Sequence, residues 1–548
     1  MGTKNFSNAN DLITFSRSSA GTALRPISYG DELVTNGTFD TDTSGWTPVI
    51  NDGDFSVIDG VARLTKGSTN PSVYQNITTN IGSVYVASLE FTGRDGADLQ
   101  FSATTSSVSS SFFSTTGLVN LVFVATSSVE EMEIQLGFAV TGEWIEFDNV
   151  SVKEVLFDQG TLTLFNHPAG IPRIEYDADG NVLGLLVEES RTNLLTYSED
   201  FTDASWAKVG LTSTTKDQAG PDGVLSGYTL LANTSSLSYV SLGFTVSTST
   251  QYTVSVFAKA GTEDWIALNI RNNTTVSDGV RYFDVASGAL GVAAGSTLDG
   301  ASIEDVGNGW YRCSVTFTSD AADTTASLRI YVAEGNGDAI TNDGTESVII
   351  YGAQLEAGAF PTSYIPTAGA TATRSADFAS IPVADFGYND EAGTFVAEFG
   401  YVDPSNVDTN YLLSGGSLAR FFYNNTATSA WSIYSGSGIS VSGISSDGSS
   451  NKAGIAMDDS GTTAYVDGGF AVSNATVKPQ GNVSYDFIAI GGVSAATRLN
   501  GHIKSINYYP RRLTDAQLEA LTAPRSSETL FLTFDGLESS FTEKSIHG

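Results

Sequence analysis

The sequence predicts an all-β protein built of several antiparallel β-sandwich (jelly-roll) domains. Three observations predict it. Short runs of Val, Ile, Phe and Tyr alternate with polar residues at a period of two, as in Met132, Ile134, Leu136 and Phe138, which puts the apolar side chains on one face of a sheet. Gly is abundant at 56 residues and Pro scarce at 13, which suits many short strands and turns but no Pro-rich stalk. The 548 residues also exceed what one hydrophobic core serves, so three globular domains with connecting pieces are expected.

A first sandwich is expected over 31–155. It opens with Asn36-Gly37-Thr38-Phe39-Asp40 and Ser44-Gly45-Trp46, and it closes on the apolar strand Trp144 to Val152. A second is expected over 192–374, opening with Ser198-Glu199-Asp200-Phe201 and Ala204-Ser205-Trp206 and closing on Val348 to Glu356. In both, a Phe in a turn is followed by a Trp and the unit ends in an apolar strand, which reads as a degenerate internal repeat of one fold. A third sandwich is expected over 375–523, with strands at Thr394–Tyr401, Asn451–Met457, Thr463–Val466 and Asp486–Ile490. Asp467-Gly468-Gly469 is a hairpin-turn signal. Thr514-Asp515-Ala516-Gln517 reads as a capping box that opens a short helix through Leu521. The tail, 524–548, is short and mixed, and Leu530 to Phe534 has the composition of an added strand.

Composition excludes several functions. The net charge of −35 argues against binding nucleic acid or an anionic membrane through the overall field. No apolar stretch is long enough to span a bilayer, and Met1 to Asp11 lacks the basic-then-apolar pattern of a secretion signal. The single cysteine, Cys313, rules out an intrachain disulfide and sits in phase with Tyr311, Val315 and Phe317 as a small core residue. The three histidines, His167, His502 and His547, have no metal-spaced partner, and neither a nucleophile elbow nor a phosphate loop is present. Glu143, Glu146 and Asp148 lie together on the closing strand of the first sandwich, but a glycosidase needs two placed carboxylates in a cleft. No enzyme activity is expected.

The second sandwich offers a binding face. If Ile266, Leu268 and Ile270 face the core, then Trp265, Asn269 and Arg271 point the other way. The same alternation turns Trp310 and Arg312 outward, and likewise Arg329 and Tyr331. Aromatic rings, planar donors and an amide on one face suit a sugar, whose C–H groups stack on rings while its hydroxyls bond to Arg and Asn. The alternative is an ordinary solvent-facing sheet or a packing surface for another domain.

The run Asn193-Leu194-Leu195-Thr196-Tyr197-Ser198-Glu199-Asp200-Phe201 with Trp206 resembles the start of a carbohydrate-binding-like module of phage tail fibre and head spike proteins. Gly307 to Arg312, Tyr351 to Glu356 and Phe360 to Pro366 resemble its later signatures. Pro172 to Tyr176, Gly184 to Glu189 and Ile13 to Ala20 resemble the segments that precede this module. There those stretches lie close together; here the first unit separates them. The resemblance therefore implies one sandwich inserted into an N-terminal β-scaffold of residues 1–30 and 156–191. The first unit resembles galactose-binding-like sandwiches and the third, through Tyr465-Val466-Asp467-Gly468 and Gly501 to Leu513, concanavalin A-like or laminin G-like ones.

The resemblance implies a bacteriophage virion structural protein, a tail fibre, spike or appendage. It would be made in the host cytoplasm, exposed on the virion, and would display modules that attach to bacterial surface glycan. Its partners would be other virion proteins and two further copies in a homotrimer, with no nucleic acid and no membrane insertion. The alternatives are a capsid-decorating or tail-adaptor protein of purely architectural role, and a polysaccharide depolymerase. No cofactor is required. Galactose-binding-like sandwiches often share a structural Ca²⁺ between acidic residues and backbone carbonyls, and by position Asp40 and Asp148 would be such residues here. A turn cap and a solvated strand residue are the alternative. Asp177-Ala178-Asp179-Gly180-Asn181 looks like a calcium loop but has Val182 where a glycine is required, so a hairpin turn is expected.

Overall fold

The computed structural model describes residues 13–50, 52–234, 237–272, 278–295, 298–339, 343–401, 411–414, 419–425, 430–435, 438–441, 450–475, 487–492, 498–523 and 533–534. The protein is all-β, with antiparallel sheets apart from one short parallel pairing, and two short helices among the described residues. The chain forms two compact units: Pro26–Thr161, and Met1–Arg25 together with Leu162–Gly548.

The smaller unit is one sandwich. One sheet runs in the order Thr47–Val49, Ser72–Thr78, Val129–Gly137, Asp98–Ala103, Val108–Ser109; the other runs Asp54–Ile58, Val61–Thr65, Trp144–Phe157, Val84–Asp95, Gly117–Val124. Alternation decides which side is buried. Met132, Ile134 and Leu136 meet Leu89, Phe147 and Phe123 in the core, while Glu133 and Gln135 face away. A corner closes the end: Trp46 donates from Nε1 to the Asn36 carbonyl at 3.1 Å, with Phe39 against its ring at 5.6 Å. At the other end the Tyr85 hydroxyl accepts from the Asn80 amide at 2.8 Å and its ring stacks on Phe123.

The second sandwich, in the larger unit, has the same strand order with one further edge strand on each sheet, Ala289–Gly295 and Leu298–Asp305. Its sheets run Ala207–Val209, Tyr239–Thr245, Thr325–Ala333, Trp265–Asn272, Asp278–Asp284, Ala289–Gly295, and Leu211–Ala219, Leu225–Ala232, Ser347–Ala357, Gln251–Ala260, Tyr311–Thr318, Leu298–Asp305. Trp206 donates to the Tyr197 carbonyl at 2.8 Å beside Phe201, and the Tyr252 hydroxyl accepts from the Ser247 amide at 2.8 Å. Cys313 is buried in its core. Both closing strands carry a bulge with a residue at positive φ, Asn149 at 51° and Gly352 at 54°. The next amide then turns to the corner loop, Val150 to the Gly37 carbonyl and Ala353 to the Ser198 carbonyl. The two sandwiches are copies of one fold.

The third sandwich takes strands from distant sequence. Thr14–Ser16 pairs with Phe378–Pro382 at the edge of one sheet, and Val182–Val187 pairs with Gly501–Tyr509 in the other. Segments read as scaffold thus complete this sandwich and place Leu185 and Val187 in its core. The Asp467-Gly468 turn has both residues at positive φ, 49° and 77°, as a two-residue hairpin of this hand requires. Thr514 caps Asp515–Thr522 with a reciprocal capping box to Gln517. In the tail, Thr533–Phe534 pairs in parallel with Asn507–Tyr508; the rest of the Leu530–Phe534 run lies outside the described residues.

A buried ion network joins these segments. Arg173 meets Asp377 at 2.5 Å and Glu188 at 2.8 Å, Arg17 meets Asp377 at 3.1 Å, and Arg374 meets Glu188 at 3.4 Å. Glu188 also accepts from the Ser363 amide and hydroxyl, each at 2.7 Å. The motif around Arg17, the Pro172-Arg173 pair and the Glu188 turn meet at one point although they are far apart in sequence.

Candidate functional site

The outer face of the sheet containing Trp265–Asn272 is the richest surface of the second sandwich. Cross-strand register brings Tyr239 opposite Tyr331, Arg329 opposite both Ser241 and Asn269, and Ala267 opposite both Tyr331 and Tyr282. Tyr239 and Tyr331 lie 4.7 Å apart between ring centroids. The Arg329 guanidinium sits 5.1 Å from the Tyr239 ring centroid and donates from Nη1 to the Tyr331 hydroxyl at 3.3 Å, a cation–π arrangement that holds the guanidinium in place. Burial pushes the Tyr331 and Tyr282 phenols up, so both hydroxyls stay protonated at neutral pH.

Around this platform, Trp265, Tyr239, Arg329 and Arg271 are half-buried. Arg271 reaches Asp278 at 3.6 Å on the rim. Gly291 lies against the Trp265 ring so closely that a Cβ there would come within 2.6 Å of Cζ3. Asn269 is only 3% exposed and donates to the Gly279 carbonyl at 3.2 Å, so it braces the sheet.

Five of the seven residues expected on one face share it: Trp265, Asn269, Arg271, Arg329 and Tyr331. Trp310 and Arg312 do not. Their strand pairs with Gln251–Ala260 and Leu298–Asp305 in the opposite sheet. The outer face there is covered, with Trp310 at 1% exposure packed among Leu24, Leu162, Leu164 and Tyr351. Arg312 lies over Phe257 at 5.4 Å and donates to the Ser255 hydroxyl at 3.0 Å. A period of two separates inside from outside but does not say to which sheet a strand belongs. Tyr239 and Tyr282 are the members that sequence reading missed; the alternation of Tyr239, Val240, Ser241 and Leu242 was the available signal.

In the first sandwich, burial pushes the Asp148 carboxyl up, and the charges of Glu90 and Asp40 add to it. Its Oδ1 is buried without a hydrogen-bond partner among the described residues. Asp40 is exposed and accepts from the Thr38 hydroxyl at 3.0 Å. Among the described residues no group of three or more His, Cys, Asp or Glu is placed to hold a metal ion, so a cation at Asp40 and Asp148 would depend on backbone carbonyls for the remaining ligands. Asp177 accepts from the Asp179 and Asn181 amides at 3.1 and 2.8 Å and closes a turn.

No family model matches the chain, and no curated protein matches it. Among solved structures, the chain is similar to the tandem CBM22 domains of Paenibacillus barcinonensis Xyn10C. The identity is 10%, the match covers 60% of this chain and 98% of that one, and the TM-score is 0.21. It is also similar to Trypanosoma rangeli sialidase in complex with the inhibitor DANA, at 14% identity, 91% and 98% coverage and a TM-score of 0.22. Likenesses this remote carry no argument about what the chain does.

Proposed function

We propose that this chain is a non-enzymatic display protein of a bacteriophage virion, a fibre, spike or appendage, whose second sandwich binds bacterial surface glycan. The observation that carries the binding reading is the Tyr239–Tyr331–Arg329 platform. It offers ring faces for sugar C–H groups beside a fixed guanidinium that donates to hydroxyls. The virion assignment rests on the motifs running from Asn193 to Pro366 and on the segments before them. Assembly as a homotrimer on other virion proteins belongs to the same reading, as does a structural Ca²⁺ at Asp40 and Asp148, favoured by the orphaned Asp148 oxygen.

The test is binding of the full chain to host cells and to an array of bacterial polysaccharides, with Tyr239→Ala and Arg329→Ala alongside. Binding that both substitutions weaken supports the reading. Absence of binding by the unsubstituted chain, with particles that fall apart when it is missing, would favour a decorating or adaptor role. Reducing ends released from host polysaccharide would replace it with a depolymerase.

A further inference from the structure

Charge is unevenly spread over the outer face of the platform sheet. Cross-strand register places Arg329 between Ser241 and Asn269, and Arg271 between Ser327 and Asp278. Asp278 lies 3.6 Å from Arg271. Asp284 stands opposite Trp265 at the other end of the face, where its Oδ1 accepts from the Ala286 and Ser287 amides at 3.0 Å each. The charge of Asp338 is felt at Tyr282. Arg329 remains. Among the described residues its polar contacts are the Tyr331 hydroxyl and the Tyr239 ring, and no carboxylate pairs with it.

In a chain with 61 acidic residues against 26 basic ones, a half-buried arginine that pairs with no carboxylate is a ready receptor for one. The frame does not require a cation there, because the matching position of the first sandwich is Glu133. Nη1 is engaged by Tyr331, which leaves the Nε–Nη2 edge of the fork, the edge that meets a carboxylate with two parallel bonds. The approach is open. Ser241 and Ser327 are half-buried, Gly243 is exposed, and a Cβ on Gly243 would meet nothing nearer than 3.9 Å. Neither serine hydroxyl bonds to another described residue.

We infer that the glycan taken by this platform is acidic. Its recognised unit is a pyranose bearing a carboxylate, with the ring on Tyr239 and Tyr331 and the carboxylate accepting from Arg329, Ser241 and Ser327. The inference rests on the glycan-binding reading of the same face and names its substrate class. The net charge of −35 repels a polyanion at long range, but screening acts over about 8 Å at physiological salt, so the groups at the site decide. There Arg329 and Arg271 outnumber Asp278, while Asp284 and Asp338 turn the carboxylate away from the Trp265 end.

The test is binding of the full chain to an array of neutral and uronic-acid-containing bacterial polysaccharides, each acidic one also in carboxyl-reduced form. The acidic polymers should bind best, and carboxyl reduction should cost about tenfold or more in affinity. Arg329→Gln keeps an amide for hydroxyls and removes the charge. It should lower affinity for the acidic forms by a similar factor and leave the reduced forms unchanged. Ser327→Asp sets a carboxylate beside Arg329 and should do the same with the melting temperature held, whereas Tyr239→Ala weakens both forms. Neutral polymers bound as tightly as acidic ones and lost in Tyr239→Ala would overturn the acidic assignment and spare the glycan reading. Absence of binding to any polymer would overturn both. Acidic binding that survives Arg329→Gln, or equal binding of dextran sulfate, would also overturn the assignment.

Discussion

The first and second sandwiches share strand order, corner tryptophan, tyrosine latch and bulge, yet their outer surfaces have diverged. Where the second has Tyr239, Arg329, Tyr331, Ala267 and Asn269, matching register gives the first Ser72, Glu133, Gln135, Gln100 and Ser102. One face is aromatic and cationic; its counterpart is mostly small, polar and acidic, with one aromatic, Tyr74, opposite Glu133 where the second sandwich has Ser241 opposite Arg329. The bulge differs in the same way. Asp148 of the first sandwich is matched by Tyr351 of the second, whose hydroxyl donates to Glu199 at 2.8 Å. The difference teaches that a few corner and bulge residues maintain the frame, while outward positions are free to acquire chemistry.

The largest separation between the two should be in stability. Arg173→Ala leaves Asp377 and Glu188 buried beside fewer cations, which costs about 3–5 kcal/mol for a broken buried pair. Calorimetry should show the larger unit melting earlier while the transition of the smaller unit stays put. Acid should act the same way. Burial alone would raise Glu188, but Arg374, Arg173 and the Ser363 hydrogen bonds outweigh it and hold the carboxyl well below its usual range. Its stabilisation is complete above the unfolded value of about 4.3 and is lost as pH falls below it toward the folded value. A larger-unit transition that does not move between pH 5 and pH 2 would contradict this.

Binding should separate the sandwiches next. Tyr239→Ala should weaken glycan binding about tenfold, near 1.4 kcal/mol, whereas Glu133→Ala on the matching face of the first sandwich should leave it unchanged. Equal losses from both would remove the functional distinction. The shared frame predicts equality instead for the latches. Tyr85→Phe and Tyr252→Phe each leave one backbone amide without its acceptor, and each should cost about 1–2 kcal/mol by denaturant unfolding.

The smallest effect concerns Asp148. Its carboxyl is raised by burial and by Glu90 and Asp40, so the ionised form costs stability as pH rises through the folded value. Asp148→Asn should therefore slightly raise the melting temperature of the first sandwich at pH 7 in the presence of chelator. Calcium should stabilise the unsubstituted chain and not this variant; a calcium-independent melting temperature would argue against the cation.

Much of the frame was legible because it is local. Alternation such as Met132, Ile134, Leu136 identified strands and their buried sides, the Thr514–Gln517 box marked a helix start, and the Asp467-Gly468 turn announced its hairpin. The paired motifs Phe39–Trp46 and Phe201–Trp206 disclosed the repeat because a corner depends on neighbours within about ten residues. The binding face was half legible. Outwardness could be read for Trp310 and Arg312 as well as for Arg329 and Tyr331, but outwardness alone made them seem companions.

Local chemistry in the chain thus set the strand class, the turns, the helix cap and the inner face of each strand, since period and turn geometry act over a few residues. Tertiary structure alone decided which strands share a sheet, that Trp310 is covered by Leu24 and Leu164, and that Arg17, Arg173, Glu188, Arg374 and Asp377 meet in one buried network. Those outcomes depend on pairings between residues as far as 360 positions apart and more, as in Arg17–Asp377 and Thr14–Ser380, where no local pattern reaches and only the packed fold brings the charges together.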